Sequence, residues 1–141
     1  MNFSIDLEKE SGEYNKSIHI GALSDFAQFE NEIKIFNDEI KWDGMWTIEQ
    51  AQHRLSNNWS ILFFKPEYEI KGWYWLDNTN SQPHSLYINK SYRNQGWGLK
   101  MQKRMIQLGK DLGLKKLVGF VDDWNKTSID IMLRAGWRIE K

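Results

Sequence analysis

The residues best suited to chemistry lie at positions 86–100, which read LYINKSYRNQGWGLK. A short apolar run ends in a polar, cationic turn, Arg93-Asn94-Gln95-Gly96-Trp97-Gly98, and an amphipathic segment follows. A turn that joins the end of a strand to the start of a helix leaves backbone N–H groups unpaired beside the positive end of the helix dipole. Glycines without Cβ let an anion approach those donors, and Arg93 with Lys100 adds charge, so a pyrophosphate is the natural occupant. The nucleotide-binding loops with that property do not match. No GKS or GKT follows, and the third glycine of a dinucleotide fingerprint is replaced by Met101.

Other chemistries are excluded. There is no cysteine, so disulfides, thiolate nucleophiles and zinc–thiolate sites are absent. The three histidines, His19, His53 and His84, form no close pair, and no metal site is expected. The start, MNFSIDLEKE, has neither a basic leader nor an apolar core, and no run nears the roughly 18 apolar residues of a membrane span. A cytoplasmic protein with no membrane partner is the expectation. The net charge of zero hides an imbalance. Residues 1–50 hold eleven Asp/Glu against four Lys, and residues 90–116 hold eight Lys/Arg against Asp111. Solvated helix faces account for such a pattern, as would an anionic ligand beside 90–116. No nucleic-acid motif accompanies the basic stretch, so no nucleic-acid partner is expected.

The elements that must position the turn follow from periodicity. At 141 residues the chain reads as one domain, 1–141, with no repeat or linker. After an undefined N-terminal segment, residues 17–21 form a short strand. Apolar positions 26, 29, 33, 36 and 40 mark one helix face, with Ser24 as its cap. Thr47-Ile48-Glu49-Gln50 has capping-box spacing and opens a second helix. Strands are expected at 59–65, 68–76 and 85–89. A helix runs from Gly98 to about Gly113, a buried strand covers 117–121, a short helix spans 125–135 with Gly136 as its left-handed cap, and a last strand begins at Trp137. Hairpin-linked strands followed by strand–helix alternation imply a mixed, mostly antiparallel sheet with helices on both faces, an α/β (α+β) architecture.

The turn and its flanks resemble the acetyl-CoA-binding segment of the GNAT superfamily of N-acetyltransferases. Leu86, Ile88, Tyr92, Arg93, Gln95, Gly96 and Gly98 fall in register with its strand and R/Q-x-x-G-x-G/A turn. Asn125, Ser128 and Ala135-Gly136-Trp137 are similar to the family's second block, with Trp in place of Phe. These motifs cover residues 84–137, and residues 1–83 agree in pattern alone.

The resemblance implies acetyl-CoA as cofactor. The pyrophosphate would be held by Arg93, Asn94, Gln95, Gly96, Trp97, Gly98, Leu99 and Lys100. Pantetheine would lie along Leu86, Tyr87 and Ile88, in a gap between that strand and residues 117–121. Asn125 and Ser128 would line the far side, although Asn125 is equally well read as a helix cap. The reaction implied is direct acetyl transfer to a primary amine, small molecule or peptide. The position of the family's thiol-protonating tyrosine holds Met132, and Tyr74, Tyr87 and Tyr92 are the substitutes, with Tyr87 on the strand itself. A carboxylate base of the family falls near Gln82, which cannot take a proton, and His84 is the nearest candidate base. Trp42 and Trp46 around Asp43 could cage a cationic acceptor, or simply close the core. The family's final strand has no residues left here, so the resemblance implies an open sheet edge that a second copy could complete. The departures at Met132 and Gln82 also fit a CoA- or acyl-CoA-binding module or interaction scaffold that does not turn over.

Overall fold

A computed structural model describes residues 1–40 and 47–140. In chain order it contains β1 (Asn2–Asp6), β2 (Ile18–Ile20), α1 (Phe26–Ile40), α2 (Ile48–Ser56), β3 (Trp59–Phe64), β4 (Gly72–Asp77), β5 (Gln82–Ile88), α3 (Trp97–Asp111), β6 (Lys116–Phe120), α4 (Lys126–Ala135) and β7 (Arg138–Ile139). The mixed α/β architecture expected from the sequence is present, with two antiparallel sheets ordered β2-β3-β4-β5 and β6-β1-β7.

Local signals explain most boundaries. The Thr47 hydroxyl accepts from the Gln50 N–H and the Gln50 side chain accepts from the Thr47 N–H, the full capping box of α2. The start of α1 is held by a 3-10 turn (Leu23–Asp25), whose Asp25 carboxylate accepts from the Ala22 N–H. β4 begins four residues later than expected: Phe64 pairs with Gly72, so residues 65–71 form the connection, in which Tyr68 takes a left-handed φ of 69°. The run at 61–64 is fully buried, as its continuous apolarity requires.

The β2-β3-β4-β5 sheet has a core on each face. Phe29, Phe63, Trp73, Trp75 and Tyr87 pack under α1 and α2. Leu62, Phe64, Tyr74 and Leu76 face the other way, onto Met101 and Met105 of α3 and onto Phe3, Ile5 and Leu117 of the second sheet. Helices thus cover both faces.

The N-terminal segment, left undefined by the sequence, is the central strand of the second sheet. β1 pairs antiparallel with β6, Ile5 opposite Leu117, and with β7, Phe3 opposite Ile139. Phe3 and Ile5 are almost wholly buried. No strand follows β7 among the described residues, but the sheet position beside it is filled by β1. β1 thus lies between β6 and β7, and β7 forms one edge of the sheet. Among the described residues no helix is long and apolar enough to cross a membrane.

Candidate active site

Sheets β2-β3-β4-β5 and β6-β1-β7 meet at one point between β5 and β6, where the Val118 N–H donates to the Ser81 carbonyl at 2.9 Å. Beyond it the two strands are not paired, and a cleft of about 410 Å³ opens between them. Its walls are residues 82–86 of β5 and residues 119–122 at the end of β6; Asn125, Ser128, Ile131 and Met132 of α4 lie along one side. Tyr74, Gln102 and Trp137 form the floor.

β5 carries an irregularity at the cleft. Trp75 pairs with His84 and Trp73 with Tyr87, so Ser85 and Leu86 together oppose Tyr74. Ser85 takes a left-handed φ of 59°. This is a bulge, which takes backbone groups out of the ladder and re-aims them.

The glycine turn lies at the end of the same strand. Asn94 (φ 62°) and Gly96 (φ 85°) are both left-handed, and Gly96 starts α3 with no side-chain cap. A Cβ on Gly96 would meet nothing within 4 Å, so the position needs glycine for its φ and leaves open space above the helix end. Among the described residues, none of the backbone N–H groups from Asn94 to Leu99 donates to a protein acceptor. Six consecutive donors at a 15-residue helix's positive end fit the pyrophosphate expected from the sequence. Gly98 serves packing, since a Cβ there would stand 3.0 Å from Ile131 Cδ1 of α4.

The basic residues divide. Lys100 Nζ lies 4.3 Å from the centre of the Trp97 ring, beside the turn. Arg93 turns away: its Nε donates to the Ile88 carbonyl at 2.8 Å and its guanidinium pairs with Glu39 of α1 at 2.6 Å. Lys110 donates to the carbonyls of Leu7 and Glu10 and anchors the N-terminal segment. Part of the positive charge at 90–116 is thus structural.

Asn125 caps α4, its side chain accepting from the Ser128 N–H at 3.2 Å, and both residues also line the cleft. Met132 is buried against the cleft floor. His84 borders the cleft, its ring 5.3 Å from that of Trp59. Burial lowers its pKa from the ordinary value, and Arg54 adds to the shift against an opposing pull from Asp77. Tyr87 does not reach the cleft with its side chain. Its hydroxyl donates to Glu32 on the α1 side, and burial with that carboxylate raises its pKa far above the ordinary value. Tyr92 packs edge-on against Phe64. Of the three substitute tyrosines, only Tyr74 lines the cleft. Trp42, Asp43 and Trp46 lie outside the described residues.

Of two floor residues, Gln102 had no role in the sequence reading and Trp137 only a place in the second motif. Only a long-range hydrogen bond links them, and no local pattern announces it.

A splayed pair of strands, a bulge and a helix opened by a glycine turn define a mixed α/β fold with its cleft between two sheets. The acetyltransferase (GNAT) family model matches residues 32–137, and the chain belongs to that family. Among solved structures, a GCN5-related N-acetyltransferase from Sphaerobacter thermophilus is similar at 14% identity and a TM-score of 0.72, over 99% of this chain and 47% of that one. An aminoglycoside acetyltransferase from an uncultured soil metagenomic sample, in complex with sisomicin, gives 19% identity and 0.71, over 88% and 89%. AAC(6')-Iy in complex with a bisubstrate analog, CoA-S-monomethyl-acetylneamine, gives 12% and 0.69, over 88% and 91%. The chain thus spans about half the length of the first of these and most of the other two. No curated protein matches the sequence.

Proposed function

We propose that the chain is an N-acetyltransferase that moves an acetyl group from acetyl-CoA to a primary amine within a ternary complex. The observation that carries this reading is the row of unpaired N–H groups from Asn94 to Leu99 at the start of α3, the helix whose Gln102 lines the cleft between β5 and β6. Acetyl-CoA would supply an activated acyl group, whose C–S bond breaks as the amine nitrogen bonds to its carbonyl carbon and the thiol leaves.

The chain's own residues do the rest. Lys100 and the six N–H groups bind the pyrophosphate, and the unpaired edges of β5 and β6 bind the pantetheine amides. A backbone N–H of the 86–88 segment, re-aimed by the bulge, donates to the carbonyl oxygen as negative charge grows. His84, held neutral by its lowered pKa, takes the ammonium proton of the acceptor. Holding both reactants in one cleft supplies the larger share of the rate, on the order of 10⁵–10⁸ M of effective concentration. The thiol, with a pKa near 8.5, leaves tolerably without an acid at Met132. Aminoglycosides, bound or modified by two of the similar proteins, exemplify the acceptor class.

Met132 favours a second reading, a CoA-binding module without turnover. Two measurements separate them. Titration with acetyl-CoA, beside Gly96→Glu, tests the cofactor site, and a panel of primary amines with thiol detection tests transfer. Binding without thiol release on any amine supports the module; absence of binding overturns both.

A further inference from the structure

Gln102 lies on the second turn of α3 and is 3% exposed, yet it borders the cleft. Its side-chain oxygen Oε1 accepts two hydrogen bonds, from the Tyr74 hydroxyl at 3.3 Å and from the Trp137 indole Nε1–H at 3.1 Å. An indole N–H can only donate, so the atom facing it must be the amide oxygen, and the amide orientation is fixed by chemistry. The Nε2 group then points elsewhere. Nothing among the described residues accepts from it, by side chain or by backbone.

Nε2 is not among the side-chain atoms cut off from solvent without a partner, so what remains exposed of this nearly buried residue includes its donor, at the cleft it lines. Here the protein provides no acceptor and instead leaves space. Gly119 borders the same cleft, beside the Trp137 ring and Met132. Two anchors therefore hold the amide oxygen, and the donor end of a cleft-lining residue is left without a protein acceptor.

We infer that Gln102 is a cofactor-binding residue whose Nε2 donates to an amide carbonyl oxygen of the donor's pantetheine arm. This rests on the acyl-CoA reading given above. An amide carbonyl is a strong acceptor that must be paired once it leaves water, and Gln102 meets that need from below while the strand edges meet it from the sides. The thioester carbonyl is served at the β5 bulge instead. Gln102 is thus a third source of recognition for the arm, on an element other than the two strands.

The test is calorimetric titration of the wild type, Gln102→Glu and Gln102→Met with three probes: CoA, acetyl-CoA, and adenosine 3′,5′-diphosphate, which lacks the arm. Gln102→Glu keeps an acceptor for Tyr74 and Trp137 and removes the donor, so its fold is preserved where Gln102→Met might loosen the floor; melting curves check both. The expected result is about a tenfold loss of affinity for CoA and acetyl-CoA alike, with the diphosphate unchanged. Equal loss for all three probes would mean a purely structural role and would overturn the inference. So would retained affinity in Gln102→Glu, or a loss confined to acetyl-CoA. A wild type that binds none of the three would overturn the acyl-CoA reading itself, a result distinct from all of these.

Discussion

The Tyr87 hydroxyl donates to Glu32 Oε2 at 2.8 Å, on the face of β5 turned away from the cleft. The same carboxylate oxygen accepts from Asn89 Nδ2 at 2.8 Å, and Lys71 Nζ stands 3.8 Å from the other oxygen. Glu32 is 2% exposed, so this cluster joins α1 to the strand that walls the cleft. Tyr87→Phe removes one donor from a buried carboxylate and should cost about 1–3 kcal/mol of stability. Its kcat should change far less than the roughly 10²-fold that losing a general acid costs. Denaturant unfolding and a thiol-release assay check the two halves.

Gly96 should be intolerant for backbone reasons alone. Its φ of 85° puts Gly96→Ala in the left-handed region, at a cost of about 1–2 kcal/mol with no clash to add. Gly96→Glu carries the same strain and also places a carboxylate among the N–H groups. Melting curves should show two similar, modest losses, and calorimetry should show CoA binding weakened much more by Glu than by Ala.

His84 gives a pH signature of defined sign. Its folded pKa is below the ordinary value of about 6.5, so between those two values the unfolded chain binds a proton that the folded chain does not. Stability should fall as pH drops through about 6.5 toward the folded value, and His84→Gln should remove that part of the slope. The acid limb of kcat/KM should lie below the usual histidine midpoint. Arg54→Met removes one cause of the shift and should move that limb upward.

Restoring a hydroxyl at Met132 tests whether proton delivery to the thiol limits turnover. Met132 is buried at the cleft, and Met132→Tyr should raise kcat by up to about 10²-fold if it does. Pre-steady-state thiol release would show it.

Ile5 is 2% exposed at the centre of the second sheet. Ile5→Ala should cost about 2–5 kcal/mol, a core-sized loss from a residue near one end of the sequence. Chemical denaturation measures it.

What the sequence disclosed was local. The capping box at Thr47, the glycine turn at 94–98 and the Asn125 cap each draw on residues within a few positions, and all were legible. Tyr74, Tyr87 and Tyr92 were indistinguishable by spacing. The bulge at Ser85–Leu86 shifts which residues share a face, and a strict alternation along β5 misses it. Gln102 read as an ordinary helix residue because its partners, Tyr74 and Trp137, come from β4 and the start of the last strand. β1 was missed for the same cause: a central strand whose partners lie at the other end of the chain has no nearby hairpin to announce it.

That arrangement governs the order in which the molecule can assemble. β1 comes before the other described elements in chain order, and the strands it joins, β6 and β7, come after α3. The β2-β3-β4-β5 meander closes through short loops, whereas the second sheet must close a loop nearly as long as the sequence, a slow step in a topology-limited search. The wall of the cleft formed by β6 is therefore completed late. Until then Phe3 and Ile5, buried in the finished fold, lack the partners that cover them.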